Sequence, residues 1–251
     1  MTDRRGTWLG VLTIGAVVLG SGCNEAKDTG TVTSRSGGET TSAPAANATE
    51  GRNLALIRVV NVIPDGDAVT IWAGDSVVFS DVDYRKATRY RKITDNMFNF
   101  QIRAGGVESE ALAENRESLD DGGYYTVVAL PSKNEGERTL RVLDDDPKPV
   151  ASGKVRVRFV NGIPGDEDVD LFVRGREEPL FDDVGFAAEA GWNEFEPIVG
   201  TLVVRPDDRK TSLATLTNAK LQAGRSYTFV LAGRPGREYE LVKIEDVVSV
   251  D

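Results

Sequence analysis

The chain has 251 residues, 40% of them apolar and 28% charged, a formal charge of −10 and no histidine. That charge disfavours nucleic acid as a partner, and the missing histidine removes the commonest general base, transition-metal ligand and pH switch. With Cys23 as its single cysteine, the chain can form no intrachain disulfide, redox pair or thiolate zinc cage.

In chain order, MTDRRGTWLGVLTIGAVVLGSGC opens with Arg4 and Arg5 and continues with an apolar run from Trp8 to about Leu19. This is the layout of a secretory signal, short of the roughly 20 residues a spanning helix needs. The closing Gly20-Ser21-Gly22-Cys23 resembles the lipobox of bacterial lipoproteins, with Gly20 where that pattern usually has leucine. The resemblance implies a signal peptide at 1–22 and lipidation of Cys23, so that the chain meets the membrane through its lipid. Asn24 lacks the aspartate of an inner-membrane retention signal, which favours the outer membrane or cell surface. Residues 23–53 are rich in Ser, Thr, Gly and Ala. They cannot bury enough surface to offset chain entropy and are expected to form a disordered tether.

From Leu54 the pattern is that of strands. In KVRVRFV, Val155, Val157 and Phe159 fall on one face while Arg156 and Arg158 fall on the other, which predicts a half-buried strand. YYTVVAL from Tyr124 and SYTFVLAG from Ser226 have the β-branched and aromatic content of central strands. Turn residues punctuate the chain at sandwich-like spacing. ESEALAENRESL, residues 108–119, is the best helical candidate or else an irregular edge segment, and no counterpart stands out in the second half.

The chain then repeats itself. Arg58-Val59-Val60-Asn61 aligns with Arg158-Phe159-Val160-Asn161, Ile63-Pro64 with Ile163-Pro164, FSDVDY (79–84) with FDDVGF (181–186), and LDDGGYYTVV (119–128) with LQAGRSYTFV (221–230). The expected organisation is all-β: one sandwich repeat at 54–146, a linker at 147–154 stiffened by Pro147 and Pro149, and a second repeat at 155–251. Asn61 and Asn161 end a strand where the ladder breaks. Pro64 and Pro164 fix the corner that follows, so these four residues read as a repeated structural motif.

These residues (R-[VF]-V-N-x-I-P, then F-x-x-V-x-[FY], then G-x-x-Y-T in both copies) resemble a bacterial secreted family catalogued as domain of unknown function 4397. The resemblance implies tandem immunoglobulin- or transthyretin-like β-sandwiches behind a signal peptide or lipid anchor, and it implies no activity. The family's usual histidine is replaced by Asn61 and Asn161, and Asp65 has Gly165 as its counterpart.

Catalysis finds little support: without histidine, a free cysteine in the folded part or GxSxG, no activated nucleophile is apparent, and nucleotide-binding glycine motifs are absent. No catalytic residue is expected. Calcium is the one cofactor considered, with Asp65 and Asp67 in the first copy and Asp166 and Asp168 in the second as hard-oxygen candidates, joined by Asp75, Glu167 and Asp170. An EF-hand loop begun at Asp65 would put Thr70 at the glycine position and Ser76 at the bidentate glutamate. Solvated turn acids explain the pattern as well. Trp72, Tyr84, Tyr90, Phe186 and Trp192 read as core, or as an aromatic sugar platform. The expected function is therefore a lipid-anchored, non-catalytic binding or scaffold module for another envelope protein or a glycan. The alternatives are a carbohydrate-binding module with Trp72 or Trp192 exposed in a groove, and a calcium-stabilised adhesion module.

Overall fold

A computed structural model describes residues 54–64, 68–94, 97–104, 108–134, 136–165, 167–207, 209–235, 238–248 and 250. The signal segment, Cys23 and the tether of the sequence reading lie outside the described residues, as do Asp65, Asp67 and Asp166.

The described chain is all-β, with no helix. The first repeat contributes β1 (Ala55–Asn61), β2 (Val69–Ala73), β3 (Ser76–Val82), β4 (Arg91–Ile93), β5 (Met97–Arg103), β6 (Ala111–Ser118), β7 (Tyr124–Pro131) and β8 (Arg138–Asp145). The second contributes β9 (Val155–Asn161), β10 (Val169–Val173), β11 (Phe181–Val184), β12 (Glu189–Phe195), β13 (Ile198–Pro206), β14 (Ala214–Leu221), β15 (Ser226–Ala232) and β16 (Glu240–Glu245). Sheet order is β4-β1-β7-β8 over β3-β2-β5-β6 in the first repeat, and β12-β9-β15-β16 over β11-β10-β13-β14 in the second. The two halves thus repeat strand for strand. Each contains one parallel pair, β1 with β7 and β9 with β15, in an otherwise antiparallel fold.

The helical expectation for 108–119 is overturned. Ala111–Ser118 is strand β6, paired with β5 from Met97↔Ser118 to Arg103↔Ala111, and its counterpart is β14. Helix propensity in the Ala-, Leu- and Glu-rich segment is a weak preference. The open edge of β5 offers a full ladder of backbone bonds, with Ala113 buried beneath, and that pairing prevails.

Alternation along the central strands builds two sandwich cores. Ile57, Val59, Val127 and Ala129 enter the first, with Ile71 and Phe100 from the facing sheet. Val155, Val157, Phe159 and Phe229 enter the second, with Leu171 and Leu202. The turn leading into β7 and β15 needs a left-handed residue, supplied by Gly122 and Gly224, both at φ 76°. Beside it, Tyr125 and Tyr227 accept hydrogen bonds at their hydroxyls from the backbone N–H of Asp120 (2.8 Å) and Gln222 (3.4 Å).

A correction concerns the other face of these strands. Arg156 and Arg158 do not face water: Arg158 is 0% exposed and Arg156 8%, and every residue of β9 is buried. The face carrying them packs against the equivalent face of the first repeat. Val60, Val62, Val128, Leu130 and Leu143 meet Val160, Val230, Ala232, Val242 and Ile244 in a third apolar core. Burying each such side chain contributes about 1.5–3 kcal/mol over leaving it exposed. Residues 54–250 accordingly belong to one compact unit.

Because this layer belongs to both repeats, Leu130→Ala should cost about 2–5 kcal/mol and leave a single cooperative transition in urea. A two-step melt in which only one repeat shifts would contradict the shared core.

Candidate functional site

The most distinctive chemistry lies inside this third layer. Arg58 in β1 and Arg158 in β9 occupy equivalent places, each opposite a threonine in the parallel neighbour: Thr126 in β7 and Thr228 in β15. Arg58 Nε donates to Thr126 Oγ1 at 2.8 Å, and Arg158 Nε to Thr228 Oγ1 at 2.8 Å. Each guanidinium then reaches out of its own repeat. Arg58 Nη2 is bonded to Asp246 Oδ1, and Arg158 Nη2 to Asp145 Oδ1. The threonines donate onward, Thr126 Oγ1 to Asp145 Oδ2 and Thr228 Oγ1 to Asp246 Oδ2, the latter at 2.9 Å.

Aromatic rings cover the charges. Arg58 lies 5.0 Å from the Tyr90 ring centroid, and Arg158 and Arg156 lie 4.5 and 4.7 Å from that of Trp192. Tyr90 Oη donates to Asp145 Oδ2 at 2.7 Å. Burial followed by the Asp145 charge pushes the Tyr90 hydroxyl far above its ordinary range. For Arg58, burial opposes the charge, but Asp246 and Asp145 outweigh it and raise its pKa. Glu189, 3.6 Å from Arg158 Nη1, is raised by burial against the pull of Arg158. A cavity of about 30 Å³ inside the cluster, lined by Tyr90, Asp145, Trp192 and Asp246 among others, has room for a water. The guanidinium, hydroxyl and carboxylate groups bond one another across the layer and tie the repeats together, while Trp192 Nε1 is buried with no hydrogen-bond partner.

The repeated corner motif is built alike in both halves. Asn61, buried, donates from Nδ2 to Val82 O at 2.9 Å and accepts the Ile63 N–H at Oδ1 at 2.9 Å. Asn161 does the same with Val184 O (2.9 Å) and Ile163 N (3.0 Å). One side chain thus satisfies a donor and an acceptor where the ladder breaks, and Pro64 and Pro164 follow, both buried.

The acidic candidates scatter. Asp168 is exposed, with its carbonyl accepting the Asp207 N–H at 2.9 Å, and Glu167 is ion-paired to Arg209. A different trio, Asp170, Asp183 and Asp207, brings its carboxylates within 4.8 Å of one another. Asp170 is raised by burial and by the charges of Asp207, Asp183 and Asp182, against an Asp183 N–H that bonds its Oδ1 at 3.1 Å. Sequence reasoning singled out Asp170 but missed Asp183 and Asp207. Within the acidic run Asp144–Asp146, Asp145 is a buried ion-pair partner. The available signal was Arg58 and Arg158 standing at matched positions among apolar residues.

The aromatics divide. Trp192 belongs to the inter-repeat layer, and Tyr90 is core. Tyr84, partly buried against the third core, donates its hydroxyl to Glu240. Trp72 lines a groove of about 460 Å³ with Ile63, Thr70, Leu112 and Arg138, under the Arg103 guanidinium 5.3 Å from its ring centroid.

Arg158→Met should cost about 1.5–3 kcal/mol, since the buried Asp145 loses its closer guanidinium and keeps only Arg58 Nε at 3.7 Å. Adding Asp145→Leu should recover part of that loss, which a double-mutant cycle on urea melts measures. Asp170→Asn keeps the acceptor for the Asp183 N–H and removes the charge. A carboxyl raised in the folded state contributes stability at low pH that is lost as pH climbs from its ordinary value through the raised one. The variant should therefore melt higher than wild type at pH 7 and equally at pH 3.

None of the curated proteins matches this chain in sequence. Among solved structures, the C-terminal domain of AlgF from P. aeruginosa is similar over 38% of this chain and 98% of its own, at 21% identity and a TM-score of 0.29. A streptococcal virulence factor described for alpha-glucan binding is similar over 73% of this chain and 94% of its own, at 12% identity and a TM-score of 0.22. A family described as domain of unknown function (DUF4397) matches residues 55–172, the first repeat together with β9 and most of β10.

Proposed function

We propose that the protein is an exported, lipid-anchored component of a bacterial cell envelope that acts as a non-catalytic binding or scaffold module for another envelope protein. The tandem continuation of the family's pattern into the second repeat belongs to the same reading. The observation that carries it is the crosswise ion layer: the buried arginines and aspartates that could have formed a reactive centre neutralise one another and join two sandwiches in one compact unit. Function then falls to the outer surfaces of that body. The Arg4-Arg5 start, the apolar run and Gly-Ser-Gly-Cys23 support export and lipid attachment at the outer membrane or cell surface.

The second reading, a glycan-binding module, is favoured by Trp72 at the wall of its 460 Å³ groove. The ring is half-buried and covered on its face by Arg103, so a sugar would contact its edge, or its face only after Arg103 moves.

Cys23→Ala should shift the protein from membrane to soluble fractions; unchanged partitioning removes the lipid anchor from the reading. In-cell crosslinking followed by mass spectrometry should return one dominant envelope protein. Saturable binding of a neutral glycan, lost in Trp72→Ala, would replace the protein-partner reading with the glycan one.

A further inference from the structure

Two arginines stand apart from the paired ones. Arg138 begins β8 in the first repeat, and Arg234 lies in the segment after β15 in the second; both line a cleft of about 420 Å³ with Ser132, Asn134, Glu137 and Pro164. Arg138 donates from Nη1 to the Glu137 carbonyl at 2.8 Å, and Arg234 Nε is buried with no hydrogen-bond partner. Neither forms an ion pair among the described residues, in a chain whose net charge is −10. Burial and then the neighbouring Arg234 charge hold Arg138 below its ordinary pKa. Bringing two like charges together in a half-buried cleft costs free energy, and an unpaired buried guanidinium N–H adds to that cost. An anion between them would offset both.

We propose that this inter-repeat cleft binds an acidic saccharide, with Arg138 and Arg234 clasping its carboxylate or phosphate group. The forked guanidinium suits either oxyanion, because both accept paired N–H donors. The remainder of the lining argues for a sugar over a bare ion. The cleft falls within the roughly 300–1,000 Å³ of small-molecule sites. On its rim, the Glu137 carboxylate accepts from Asn134 Nδ2 at 2.8 Å and from Ser132 Oγ at 3.5 Å. Its spare lone pairs suit ligand hydroxyls and would repel a second anionic group. Pro164 and Pro235 give apolar wall for ring C–H groups. The site is distinct from the ion layer and does not depend on the lipid anchor or on a protein partner.

Isothermal titration calorimetry of the purified chain at constant ionic strength, with glucuronate, glucose 6-phosphate, glucose and sodium sulfate, tests this. At least one acidic sugar should bind saturably, with glucose and sulfate at least tenfold weaker. The first two titrations separate a carboxylate from a phosphate ligand. Arg138→Met and Arg234→Met should each weaken the acidic sugar at least tenfold. Without ligand, Arg234→Met should melt at or above the wild-type temperature, because repulsion is relieved; this also verifies that the variant is folded. Absence of saturable binding by either acidic sugar, equal binding of glucose or sulfate, or undiminished affinity in Arg234→Met overturns the proposal.

Discussion

The fold depends on a charge exchange: Arg58 is neutralised by Asp246 and Arg158 by Asp145, each carboxylate coming from the repeat that the arginine does not belong to. A buried ion pair adds little net stability over a well-packed apolar one, but losing a single partner leaves a stranded charge. The pairs therefore act mainly as a constraint on register. Sliding or rotating one sandwich against the other would separate both pairs at once and expose the valine layer around them. Thr126 and Thr228 tighten that constraint by tying each guanidinium to its own sheet while bonding the carboxylate that the other guanidinium or its partner needs.

Rigidity in the middle leaves the periphery to vary. The Asn-Ile-Pro corner is the same in both halves because it completes a broken ladder, a demand that every copy of the fold must meet. The acids beyond it are not under that demand: Asp170 packs beside Asp183 and Asp207, while the first repeat has Thr70 at the equivalent strand position. The same holds for the aromatics, where Tyr90 and Trp192 answer to the arginines they cover and Trp72 borders an open groove.

Much of the architecture was legible in the residues. Period-two alternation located β9, β-branched and aromatic content located β7 and β15, and the echo of Arg58-Val-Val-Asn61 in Arg158-Phe-Val-Asn161 added β1 and gave two copies of one sandwich. What alternation cannot report is the identity of the second face's neighbour. Arginine on alternate positions reads as solvent contact, yet here it meets another sheet, and its counter-charge lies 188 residues further on for Arg58 and 13 residues back for Arg158. Segment 108–119 failed for a related reason: its composition favours helix, and only the unpaired edge of β5, which no local pattern records, makes it a strand. The buried role of Asp145 was hidden by its setting between Asp144 and Asp146, both of which stay nearer the surface.

When residue i of one half meets residue j of the other, and j of the first meets i of the second, the interface is isologous, the arrangement of a two-fold symmetric dimer. The chain is in this sense a dimer with both protomers on one polypeptide. Residues 146–154 join them, so their association is intramolecular and does not weaken on dilution. Two separate protomers at low concentration would lose such an interface by mass action. Covalent linkage also frees the two halves to diverge, which a homodimer cannot do: the same mutation need no longer appear twice. The pairing of Tyr90 in one half with Trp192 in the other, around otherwise matched arginines, is that freedom in use.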